Sequence, residues 1–165
     1  MPSAKEKNDA VVGRAHGKSP DAIALLKADH RQVKGWFGDY EKARGEAKKA
    51  ELARKICRAL TIHTQIEEEI FYPAARKATG DDDLLDEAAV EHAAAKQLIA
   101  EIEAMSVGDE LYDAKIKVLG EQIDHHVEEE EDELFPEVQK AKLDLAAIGE
   151  KLSARKAVLM GELAS

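Results

Sequence analysis

The chain has 165 residues, of which 44% are hydrophobic, 35% charged and only 4% aromatic, with a net charge of −10. That length allows one domain with a real core and excludes two comfortable ones. The acidity argues against nucleic acid or an anionic membrane as main partner, and the single cysteine, Cys57, excludes an internal disulfide.

Residues 1–18 show no periodicity and contain Pro2, Gly13 and Gly17, so a flexible tail is expected, with His16 solvated in it. The tail lacks the apolar segment of a signal peptide, and no apolar run approaches the ~20 residues of a membrane span; the expected location is cytoplasmic. A domain is expected over 19–165, with a four-helix core at about 20–140. Ser19-Pro20-Asp21 reads as a helix start, with Ser19 as cap and Pro20 at the first helical position. The first helix then carries Ile23, Leu26, His30, Val33 and Phe37 on one face and ends at Gly45.

A second helix is predicted over 46–78, with Leu52, Ile56, Leu60, His63, Glu67 and Ile70 along its inner stripe and Gly80 closing it. Asp81 to Asp83 offer caps for a third, whose inner face is Leu85, Ala88, His92, Ala95 and Ile99. After a turn at Ser106 to Asp109, a fourth runs from Glu110 to Lys140 through Leu119, Ile123, His126, Glu130 and Leu134. Pro73 and Pro136 should kink or end their helices. A fifth helix at about 144–163, with Leu145, Ile148, Leu152 and Leu159, is expected to pack outside a four-helix bundle.

The chain repeats itself. His63-Thr-Gln-Ile-Glu67-Glu68 and five further residues to Pro73 align with His126-Val-Glu-Glu-Glu130-Glu131 and five further residues to Pro136. Upstream, Asp29-His30-x3-Lys34 aligns with Glu91-His92-x3-Lys96. Two helical hairpins of this kind close into a four-helix bundle.

Residues i and i+4 share one helix face, so His63 with Glu67 and His126 with Glu130 can each aim an imidazole and a carboxylate at one point. His30 and His92 add an imidazole from each remaining helix. One histidine on an apolar face is usually a satisfied core residue. Four, with two glutamates in repeated register, ask for compensating positive charge, because a buried carboxylate without a partner is costly. A pair of divalent metals supplies it. His125 and Glu129 are also four apart, but His125 points about 150° from the apolar stripe and is assigned to the surface.

These residues resemble the hemerythrin-like (HHE cation-binding) family, bacterial type, over about residues 20–140. The motifs are His30, His63-x3-Glu67, His92 and His126-x3-Glu130, with Tyr72-Pro73 and Phe135-Pro136 following. The resemblance implies an all-α, up-down-up-down bundle holding two iron ions, oxo- or hydroxo-bridged, with iron preferred to manganese or zinc. It implies His30 and His63 on one iron, His92 and His126 on the other, and Glu67 and Glu130 bridging. It differs from oxygen carriers, which have a further histidine where this chain has Lys96 and a bridging aspartate at a spacing of five.

The expected function is a di-iron protein that binds or senses dioxygen, nitric oxide, peroxide or iron, with azide as a further small ligand. The alternative is a di-iron enzyme acting on peroxide or in oxidative or nitrosative stress protection. The donor set also predicts two equivalent metal positions, each with an exchangeable site. Lys34 and Lys96 either lie along the surface or point toward the cluster.

Overall fold

Asp21, not Ser19, starts the first helix. Its carboxylate accepts a hydrogen bond from the Ala24 amide at 2.8 Å, and helix α1 spans Ala22–Lys42. An aspartate at the cap both satisfies a free amide and complements the helix dipole. The computed structural model describes residues 19–164; the expected tail with His16 lies outside the described residues.

The described residues are all-helical. Helix α2 runs through Glu46–Ile66, a π turn at Glu67–Phe71 and a further α segment at Tyr72–Thr79. Helix α3 spans Asp82–Glu103. Helix α4 repeats the pattern of α2: Tyr112–Glu129, a π turn at Glu130–Leu134, then Phe135–Lys140. Helix α5 is Leu145–Ala164. Gly80 closes α2 in the left-handed conformation at φ 68°, and Asp81 caps α3 by accepting from the Leu84 amide. Gly45 does not end α1, which stops at Lys42; at φ 91° it starts α2 instead. Leu111 adopts φ 72° and so delays α4 to Tyr112.

The two prolines do not end their helices. The Tyr72 amide reaches back five residues to the Glu67 carbonyl, and the Phe135 amide to the Glu130 carbonyl. Proline lacks an N–H and crowds the carbonyl one turn earlier; a widened turn just before it accommodates both effects. Each wide turn begins at one of the two inward glutamates.

Helix α1 packs on α2 and α3 on α4, while α1–α4 and α2–α3 contacts close the ring. The apolar core falls into two clusters. One holds Leu26, Ile66, Phe71, Leu85, Leu134 and Phe135; the other holds Val33, Ile56, Leu60, Ile99, Ile116 and Leu119. Along every bundle helix the sequence passes from one cluster to the other through the positions of His30, His63, His92 and His126. A polar layer therefore divides the core. Helix α5 lies on α1 and α2, burying Leu152 and Leu159. No helix among the described residues is long and apolar enough to cross a membrane.

Candidate metal centre

The six residues singled out by spacing converge. His30 comes from α1, His63 and Glu67 from α2, His92 from α3, and His126 and Glu130 from α4; all are buried. The imidazoles pair through their Nε2 atoms, His30 with His63 and His92 with His126, each at 3.2 Å. Glu67 Oε1 lies 3.2 Å from Nε2 of both His63 and His92. Glu130 reaches His126 Nε2 at 3.2 Å through Oε2 and His30 Nε2 at 3.4 Å through Oε1. Each carboxylate thus touches both histidine pairs.

The other ring nitrogens explain the remaining acids of the repeat. Nδ1–H of His63 donates to Asp29 at 2.9 Å and that of His126 to Glu91 at 2.9 Å. His30 donates to Glu131 at 2.8 Å and His92 to Glu68 at 3.1 Å. In every case the acid belongs to a different helix from its histidine. With Nδ1 protonated and held, each Nε2 turns a lone pair to the centre.

Three of these acids have a further neighbour. Lys156 donates to Asp29 Oδ1 at 2.5 Å and Lys96 to Glu68 Oε1 at 2.6 Å, while His125 Nε2 lies 3.6 Å from Glu91 Oε2. Lys96 is half exposed and reaches the acid behind His92, not the cluster itself. Lys34 is exposed. His125 faces solvent with its side chain 64% accessible, as its helical phase requires.

The arrangement fits a pair of cations. Glu67 Oε2 and Glu130 Oε1 are buried oxygens without a hydrogen bond, and within each histidine pair two lone pairs face each other at 3.2 Å. Both conditions are unfavourable unless positive charge lies between. Donors at that separation can share one ion with bonds of about 2.1 Å. Where no cation is bound, protons serve instead. Burial by itself would lower the His63 pKa, yet Glu67 and Asp29 hold it well above the usual imidazole range. Burial opposes His126 too, but Glu130 and Glu67 bring it up to about 9. Burial raises the Glu67 carboxyl, and His63 outweighs it, keeping the group well below its ordinary value.

The two histidine pairs, expected to form equivalent positions, have different surroundings. Tyr72 places its hydroxyl 3.1 Å from Nε2 of both His92 and His126, 2.6 Å from Glu130 Oε2 and 3.3 Å from Glu67 Oε1. Its repeat mate Phe135 instead stacks on His30, with ring centroids 6.1 Å apart. The signal was in the sequence, as tyrosine before one proline and phenylalanine before the other. Beside the histidines a cavity of about 20 Å³ is lined by Val33, Leu60, Ile123 and Val127. That volume suits one water-sized or diatomic guest.

Residues 21–138 match the family described as the hemerythrin HHE cation binding domain. The chain is 28% identical over 115 residues to a DNA nickase of Nostoc sp. (strain PCC 7120), covering 70% of this chain but 32% of that protein. It therefore spans about a third of the length of the curated relative it matches. A crystal structure of a hemerythrin HHE cation binding domain-containing protein from Mycobacterium kansasii superposes with a TM-score of 0.75 at 23% identity. The alignment covers 87% of this chain and 89% of that one.

Proposed function

The chain belongs to the hemerythrin HHE cation binding domain family, and from that premise we propose that it is a non-haem di-iron protein that binds or senses dioxygen, nitric oxide or peroxide. In this reading His30 and His63 hold one ion, His92 and His126 the other, and Glu67 and Glu130 span the two. Helix α5 belongs to the same domain. Mixed imidazole and carboxylate donors suit iron above the softer or harder alternatives. Bound iron supplies the redox and ligand-binding chemistry that no side chain offers.

The observation that carries the reading is the convergence of four Nε2 lone pairs on two buried carboxylates whose free oxygens lack a hydrogen bond. Tyr72 covers the His92/His126 half on one side, and an external ligand would enter from the other side, where the small cavity borders all four histidines. The cavity of about 20 Å³ limits that ligand to a few atoms. DNA nicking is not carried over from the Nostoc relative: the shared stretch is 32% of that protein, and a net charge of −10 opposes a phosphate backbone.

One feature favours the enzyme reading, in which peroxide is consumed. The Tyr72 hydroxyl is a buried hydrogen-bond donor inside the cluster. Burial, Glu130 and Glu67 push its pKa well above the ordinary phenol range, so it stays protonated and can orient a bound oxygen-containing ligand by hydrogen bonding. Metal analysis and an absorption spectrum of the purified protein, with and without peroxide, test both readings. Two irons per chain with a reversible spectral change support the binder or sensor. Sustained peroxide loss selects the enzyme, and absence of iron after anaerobic loading defeats both.

A further inference from the structure

Helix α5 lies beyond the residues that match the family, yet two adjacent side chains reach from it to the groups around one metal position. Lys156 Nζ donates to Asp29 Oδ1 at 2.5 Å, and Asp29 Oδ2 accepts from His63 Nδ1 at 2.9 Å. Arg155 pairs through two nitrogens with Glu69, at 2.7 and 3.2 Å, and Glu69 sits in the π turn that opens with Glu67. Both links end on the α1–α2 half of the bundle, behind His63 and Glu67.

We propose that docking of α5 and metal loading of the His30/His63 half are one coupled equilibrium, with Lys156 as the positioning residue that acts through Asp29 on His63. The inference rests on the reading of the cluster as a metal centre. Asp29 is only 8% exposed, so its charge is poorly screened, and when Lys156 leaves it loses one of its two donors, with His63 alone remaining. An Asp29 carboxylate no longer held at Oδ1 is free to rotate, and that rotation releases the His63 ring from the orientation that aims Nε2 inward. The Arg155–Glu69 pair is more exposed and adds little stability alone; it gives α5 a second contact with the π turn. Linkage is reciprocal, so an ion bound at this half must also hold α5 down.

A second feature allows α5 to be displaced without altering its charges. Gly149 lies against the start of α1, where a Cβ would stand 2.3 Å from the Pro20 carbonyl oxygen. Gly149→Ala should therefore push α5 away with Arg155 and Lys156 intact. On the other half, Lys96 backs Glu68 and His92 in the same way but belongs to α3. Lys96→Met thus serves as a control for loss of a lysine alone.

The experiment loads metal-free full-length protein anaerobically with ferrous iron. It reads iron retained after gel filtration and amide hydrogen exchange across residues 145–164. In wild type, iron should slow exchange throughout α5. In Lys156→Met and in Gly149→Ala, affinity for one of the two ions should fall on the order of 10-fold, and iron should no longer protect α5 fully. Lys156→Arg should restore both readouts, and Lys96→Met should leave the protection of α5 as in wild type. Iron that binds wild type without slowing α5 exchange overturns the coupling, as do two ions held at wild-type affinity in both Lys156→Met and Gly149→Ala. Wild type that takes up no iron overturns the metal reading itself, and the coupling with it.

Discussion

Tyr72 donates a hydrogen bond of 2.6 Å to Glu130 Oε2 across the bundle, joining the first residue of the last α segment of α2 to the opening residue of the π turn in α4. The repeat offers no mirror image of this bond, because Phe135 occupies the matching position. A chain of two near-identical hairpins thereby acquires two chemically different halves.

The first prediction follows from that difference. Iron-loaded wild type should show two distinct iron environments by Mössbauer spectroscopy. Tyr72→Phe should bring them together and also lower stability by roughly 1–3 kcal/mol, since a buried carboxylate oxygen loses its donor. A single environment in wild type would show that the hydroxyl does not distinguish the halves.

Glu67 and Glu130 each touch both histidine pairs, whereas each histidine contacts one partner imidazole. Glu67→Ala should consequently lose metal from both halves, and His30→Ala chiefly from one. Elemental analysis after exhaustive dialysis separates the outcomes; full occupancy in Glu67→Ala contradicts a spanning role.

Metal removal should lower the melting midpoint or broaden the transition while circular dichroism stays strongly helical. The two apolar clusters remain, but four imidazoles and two carboxylates are left buried without their cation. Equal melting curves for loaded and metal-free protein, with metal loss verified, would count against a buried centre.

Stability of the metal-free chain should depend on pH in both directions. The folded His126 pKa of about 9 lies above the unfolded value of 6.5. Its contribution, on the order of 3 kcal/mol, is complete below pH 6.5 and disappears as pH rises through 9. His63, also raised, acts in the same sense. Glu67 is lowered because His63 outweighs the effect of burial, and Asp29 because His63 and Lys156 do. Their contributions hold above the ordinary carboxylate range and disappear on acidification. Maximum stability should fall roughly between pH 5 and 6.5, and iron affinity should rise from pH 6.5 to 9 as the ion displaces protons. Thermal melts and iron titrations across pH 4–10 check both trends.

The helices, the repeat and the inward placement of His30, His63, Glu67, His92, His126 and Glu130 were legible in the amino-acid spacing. A helix turns by a fixed angle per residue, so spacing alone says that His63 and Glu67 share a face with Ile56 and Leu60, and that His125 does not. The local backbone was less legible. Pro73 and Pro136 marked a disturbance, but whether proline breaks a helix or follows a widened turn depends on what the neighbouring helices can hold in place. Asp29, Glu68, Glu91 and Glu131 stood out in the repeat without revealing their partners, which lie across the bundle at sequence separations of 24 to 101 residues. The Lys156–Asp29 bond spans 127 residues, and Tyr72 reaches Glu130 only because α2 and α4 meet at one axial level. These contacts come from the assembled bundle, because periodicity sets the direction of a side chain about its own helix axis, while contacts between helices depend on their relative height and order.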